Sequence, residues 1–182
     1  MEIKELIQSG LANTKRSIDR ALNGLTPEEL SWQPAPDANS IQIVLFHNAR
    51  LEDNTIQARL QNKPQLWDSQ MWYRKLNKDV KDSGGHYTVD DVKNFKISDT
   101  KDLTTYMDAL RNNTLEYIKG LKEGDFDRKI TLAPMGPPPP GGAARPPMEL
   151  TVGTMLLMMV THLAQHAGEI GYIRGLKRGM DK

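Results

Sequence analysis

The chain carries four histidines: His47, His86, His162 and His166. His162 and His166 stand four residues apart in a segment whose apolar positions Val152, Met155, Met159, Ile170 and Ile173 recur at helical spacing. Four residues turn a helix by about 400°, so the two imidazoles lie about 40° apart and one turn of rise from each other. Both rings can therefore point at one ion. His47 lies in a different segment, on a stripe with Val44, Leu51 and Ala58. Three imidazoles from two facing helices could cap a divalent cation and leave positions open for water or a substrate. Histidines on apolar stripes also occur as hydrogen-bonded core residues, and spacing alone leaves both readings open. His86, within Gly84-Gly85-His86-Tyr87, reads as a surface histidine on a loop.

Other metal chemistries fit less well. His162-Leu163-Ala164-Gln165-His166 lacks the glutamate that zinc proteases place directly after their first ligand. No histidine here has a glutamate three residues before it, as di-iron bundles require. The absence of cysteine excludes thiolate ligands, disulfides and a cysteine nucleophile. Glu169 follows His166 by three residues and shares the face of the pair. It could be an outer hydrogen-bond partner, a further ligand, a general base, or a partly solvated glutamate. Gln165 turns about 100° from each histidine and reads as a surface or interhelical polar residue. Glu52 and Asp53 point away from His47, which predicts a solvated face. Met155, Met158 and Met159 suit either core or a soft pocket wall.

Four long helices must position these groups. Periodicity predicts the first over residues 3–24, the second from Asn39 or Ser40 to about 62, the third over 100–121 and the fourth over 151–177. Thr26, Pro27 and Glu29 form a capping signature for a short extra turn. Residues 63–99 lack a period and are expected to form a long crossover with one short helix around 69–77. A connection of this length lets the second and third helices run parallel. Residues 128–132 and 148–150 read as short extended segments. The four prolines from Pro137 to Pro140, followed by Gly141 and Gly142, cannot be helix and suggest a flap before the last helix. These elements predict an all-α four-helix bundle with a long crossover between the second and third helices. Residues 1–182 are expected to form one domain.

Composition narrows the partners. Lys and Arg total 24 against 23 Asp and Glu, so no electrostatic footprint for nucleic acid or an anionic membrane exists. No apolar run reaches the roughly 18 residues of a membrane span, and the acidic amphipathic start is unlike a signal peptide. A soluble, cytoplasmic protein is expected.

The chain resembles the DinB-like (DinB/YfiT) superfamily of metal-binding four-helix bundles over nearly its whole length. Leu25-Thr26-Pro27-Glu28-Glu29-Leu30 with Trp32-Gln33-Pro34 is similar to the linker after that family's first helix. Ser40-Ile41-Gln42-Ile43-Val44-Leu45-Phe46-His47 resembles the helix bearing its first ligand. Thr151-Val152-Gly153-Thr154-Met155-Leu156 and His162-Leu163-Ala164-Gln165-His166-Ala167-Gly168-Glu169-Ile170 resemble its last helix. The resemblance implies a ligand triad of His47, His162 and His166, and one divalent metal ion, zinc or nickel. It also implies a metal-dependent enzyme of the thiol S-transferase type, acting on a small-molecule substrate with a thiol cofactor. The alternative is a non-catalytic metal- or small-molecule-binding bundle, linked to stress. A homodimer is expected from the resemblance and from the tryptophans of the aperiodic segment, where Trp67, Trp72 and Tyr73 either cover the bundle or form a subunit contact. Two positions depart from the family pattern: Ala167 stands where many members are basic, and Glu169 where many have glutamine.

Overall fold

A computed structural model describes residues 2–133 and 146–179. Helix α1 (Ile3–Leu22) is followed by the single turn α2 (Pro27–Ser31). The Thr26 hydroxyl accepts from the Glu29 amide and the Glu29 carboxylate accepts from the Thr26 amide, as the sequence signature requires. Helix α3 (Ile41–Asp53) starts on the Ser40 cap and runs without a break into a π-helical segment, Asn54–Leu60. The crossover holds three short helices: α4 (Leu66–Ser69), α5 (Trp72–Lys75) and α6 (Val89–Lys93). Helix α7 (Thr100–Gly120) leads through a 3₁₀ turn to β1 (Lys129–Leu132). Strand β2 (Met148–Thr151) pairs antiparallel with β1 and feeds helix α8 (Val152–Arg178), whose Thr151 side chain caps the Thr154 amide.

Side-chain contacts fix the helix directions. Gln42 bonds Thr100, Arg50 and Asp53 bond Tyr106, Glu52 bonds Arg111 and Thr114, and Gln57 bonds Asn113. Partner numbers rise together from one end to the other, so α3 and α7 run parallel, as the crossover length predicts. Helices α1 and α8 are parallel too: a Cβ at Gly10 would meet Val160, and Arg174 donates to the Ala21 carbonyl. Asn39 faces Glu169 and His47 faces His162, so α3 is antiparallel to α8. Lys4 reaches the Lys119 carbonyl and Arg111 the Leu11 carbonyl, so α1 is antiparallel to α7.

Helix α3 is the centre of the bundle and is buried on nearly every side. This corrects the expectation for Glu52 and Asp53. They do point away from His47, but towards α7 and the crossover rather than solvent, and are 4% and 0% exposed. Glu52 receives both Arg111 Nε and Nη2 at 3.0 Å and the Thr114 hydroxyl at 2.7 Å. Asp53 accepts from the Leu66 and Trp67 amides at 2.9 Å and from the Tyr106 hydroxyl at 2.5 Å, with Arg50 at 3.5 Å. Trp67 and Trp72 are buried against Phe46 and Tyr106 within the chain, so they cannot offer a subunit contact. The crossover has three short helices rather than one, because Asp53 caps α4 at Leu66 and Met71, at φ +54°, separates it from α5. The proline-glycine flap lies outside the described residues. Among the described residues no helix is long and apolar enough to cross a membrane.

Candidate metal centre

The antiparallel seam between α3 and α8 brings His47, His162 and His166 together. His47 Nε2 lies 2.9 Å from His162 Nε2, and His166 Nε2 lies 3.0 Å from the same atom. All three ligand atoms fall within 4.8 Å of one another. His47 sits one helical face from the Phe46 core, and α8 turns its histidine pair inward because Leu163, Ala167 and Ile170 beside it are buried.

The opposite nitrogens of two rings are held. The Gly84 carbonyl accepts from His47 Nδ1 at 2.8 Å. The Glu169 carboxylate accepts from His166 Nδ1 at 2.6 Å, and its other oxygen receives the Asn39 amide at 3.4 Å. A proton on Nδ1 leaves Nε2 of each neutral ring as a bare lone pair. Both lone pairs face His162 Nε2, which has at most one proton and can satisfy only one of them. A divalent cation resolves this conflict, and a ligand imidazole tied through its other nitrogen to a carbonyl or carboxylate is the usual way such a ring is fixed. Two imidazole nitrogens at right angles about an ion, with bonds of about 2.0–2.1 Å, stand about 2.9 Å apart. The three imidazoles therefore form a donor set that could hold a divalent cation.

Burial disfavours the charged form of His47 and outweighs the Gly84 hydrogen bond, so its pKa lies below the ordinary histidine value. His162 is lowered by the same desolvation, with the neighbouring His166 and His47 adding to it. Both effects keep the rings neutral and ready to bind an ion.

A family model for the DinB superfamily matches residues 11–170. The chain belongs to the DinB superfamily. None of the curated proteins it was compared with matches. Among solved structures, the DinB chain is similar to a conserved protein from Enterococcus faecalis, with a TM-score of 0.77 and 22% identity over 97% of each chain. At that identity the likeness speaks for the fold alone.

Glu169 joins the three histidines, but through the far nitrogen of His166 rather than the point where the Nε2 atoms converge. His86 is an exposed loop residue at φ +61°, outside the cluster, yet it lines the same cavity as His47. Met155, Met158 and Met159 line the cavity beside His47 and His162. Three contributors carry no sequence signal of their role. Gly84 and Asn39 act only through tertiary contacts, and Arg59 reaches the cavity wall through the π-helical end of α3.

Proposed function

We propose that this DinB protein holds one divalent ion, zinc or nickel, on His47, His162 and His166, and uses it as a metal-dependent enzyme of the thiol S-transferase type. The observation that carries the reading is the convergence of three Nε2 atoms, two of them on rings fixed from behind by Gly84 and Glu169. A divalent ion supplies Lewis acidity, which favours the deprotonated form of a thiol or water at neutral pH. The chain's residues do the rest. The Gly84 carbonyl and Glu169 carboxylate hold the ring protons on Nδ1. Met155, Met158 and Met159 offer a polarisable floor. Cavities of about 750 and 410 Å³ share His47, Leu51, Asn54, Arg59 and His86 and give a small molecule room beside the triad.

The alternative is a bundle that binds a metal or small molecule without catalysis. A fourth protein ligand closing the site would favour it. Glu169 faces away from the convergence point, which favours the open site and the enzyme.

Elemental analysis of protein purified without an affinity tag tests the reading. About one equivalent of zinc or nickel is expected, lost in His162→Ala with helicity retained and kept in His86→Ala. A His47→Ala variant that keeps its metal would sink the triad. We include a homodimer in the proposal; light scattering showing a monomer at micromolar concentration removes it.

A further inference from the structure

Helix α3 borders a further cavity that the triad does not use. It measures about 200 Å³ and lies between α1, α3 and α7, with Leu163 contributed by α8. Among the described residues it shares no part of its wall with the two cavities beside the histidines.

Its polar wall is committed almost throughout. Arg111 donates from Nε and Nη2 to Glu52 and from Nη1 to the Leu11 carbonyl. Glu52 takes the Thr114 hydroxyl as well, and the Thr104 hydroxyl donates to the Lys101 carbonyl. At the rim, Lys15 Nζ stands 3.0 Å from Asp19 and 3.6 Å from Asp108, all three side chains reaching solvent. Asn48 is the exception. It is 1% exposed, and neither its amide nitrogen nor its amide oxygen has a hydrogen-bond partner among the described residues. Buried side-chain amides are nearly always paired, because an unpaired one has given up water and gained no replacement. Beside Asn48 the wall is apolar, with Ile18, Leu22, Ala49 and Met107.

These features define a fitting occupant. Asn48 offers N–H donors and a carbonyl acceptor in one plane, and the complement of that edge is a second amide. No unpaired charge stands in the described wall to meet an ion, so the occupant is neutral. An apolar cavity of about 150 Å³ holds benzene. The cavity beside Asn48, at about 200 Å³, therefore admits one ring with a small substituent.

We propose that this cavity is a second ligand site, which takes a neutral single-ring molecule bearing a carboxamide or lactam edge, and that Asn48 recognises that edge. The site needs no metal. Because Asn48 is 1% exposed, its amide turns about the side-chain bonds to reach the occupant, and its own N–H signals report the event.

A nuclear magnetic resonance titration of the full chain with benzamide and acetophenone tests this. The two probes share a ring and a carbonyl and differ in the NH₂ that only benzamide donates. Benzamide is expected to shift the Asn48 side-chain amide and the methyl signals of Ile18, Met107 and Leu163. It should bind at least about tenfold more tightly than acetophenone, which leaves the Asn48 oxygen unpaired. Asn48→Leu should lose that preference. Met107→Trp, which fills the cavity from α7 and leaves Asn48 in place, should lose both probes. Circular dichroism confirms that each variant folds, and the native titration is decisive should neither do so. No binding at the solubility limit of benzamide, with water alone on the Asn48 amide, overturns the proposal. So does equal binding of the two probes, a shift pattern centred elsewhere, a preference that survives Asn48→Leu, or benzamide binding that survives Met107→Trp.

Discussion

Asp53→Asn should unfold the protein far more easily than its small change in volume suggests. Asp53 is 0% exposed and its two oxygens take the Leu66 amide, the Trp67 amide and the Tyr106 hydroxyl. Burial, with the Asp53 charge next to it, pushes the Tyr106 phenol well above its ordinary pKa, so Tyr106 stays a donor across the working range. An asparagine presents NH₂ where one oxygen stood, and faces at least one of these donors with another donor. It also removes the charge 3.5 Å from Arg50, whose side chain is 7% exposed. Breaking one half of such a buried pair is worth about 3–5 kcal/mol, and the lost hydrogen bonds belong to that figure rather than adding to it. At about 2–4 °C per kcal/mol for a chain of this size, the melting temperature should fall by about 6–20 °C. The assay is urea and thermal unfolding in chelator, so that metal does not contribute. Tyr106→Phe and the double variant complete a cycle, in which the double variant should lose less than the sum. A loss below about 1 kcal/mol for Asp53→Asn, or strict additivity with Tyr106→Phe, would refute the argument that this network anchors the crossover to α3 and α7.

Three further outcomes follow from the site. Gly84→Ala should destabilise by about 2–4 kcal/mol, because φ is +79° and a Cβ would lie 2.7 Å from Arg50 Cβ and Cγ. The same change displaces the carbonyl that fixes His47 and should weaken metal affinity about 10–100-fold by competition titration, against no change if Gly84 is a bystander. Since His47 and His162 have folded pKa values below 6.5, protons compete for them only in more acidic solution. Their protonation should therefore weaken binding only at a lower pH than an unperturbed imidazole would give, and a half-loss of affinity already above pH 6.5 by titration from pH 8 to 5 would contradict this. Asn48 is 1% exposed, and its amide nitrogen and oxygen meet no partner among the described residues. Asn48→Leu should therefore raise stability by about 1–3 kcal/mol in urea unfolding, and a loss of that size would show that the amide is satisfied.

The long helices were legible because burial imposes a period on them. Ser40 marks the start of α3 in sequence and in structure alike, as Thr26 does for the short α2, while Thr151, read as the first helical residue, proves to be the cap of α8. The parallel run of α3 and α7 followed from connection length alone. Glu52 and Asp53 were misread for one reason: a helical wheel gives direction about an axis but does not say what lies there. With Arg111, Thr114, Tyr106 and two backbone amides waiting on that side, carboxylates become core residues. Their partners lie between 13 and 62 residues away, beyond any local pattern.

The site divides along the same line. His162 and His166 are four residues apart, and their spacing alone implies that their rings align. Glu169 is a local partner of His166, but the third imidazole and the carbonyl that holds its ring come from long range. Asp53 caps α4, Arg50 holds the Asp82 carbonyl, and two residues later Gly84 turns at positive φ with its carbonyl on His47. Asp53 and Arg50, on the far side of α3, are thus linked through the crossover to the His47 ring on its near side. A substitution at Asp53 should reach the metal through this path: after stability is matched with an osmolyte, Asp53→Asn should still bind zinc more weakly than native protein. Equal affinity would mean that the crossover loop finds His47 without the buried network, and that the two halves of α3 are independent.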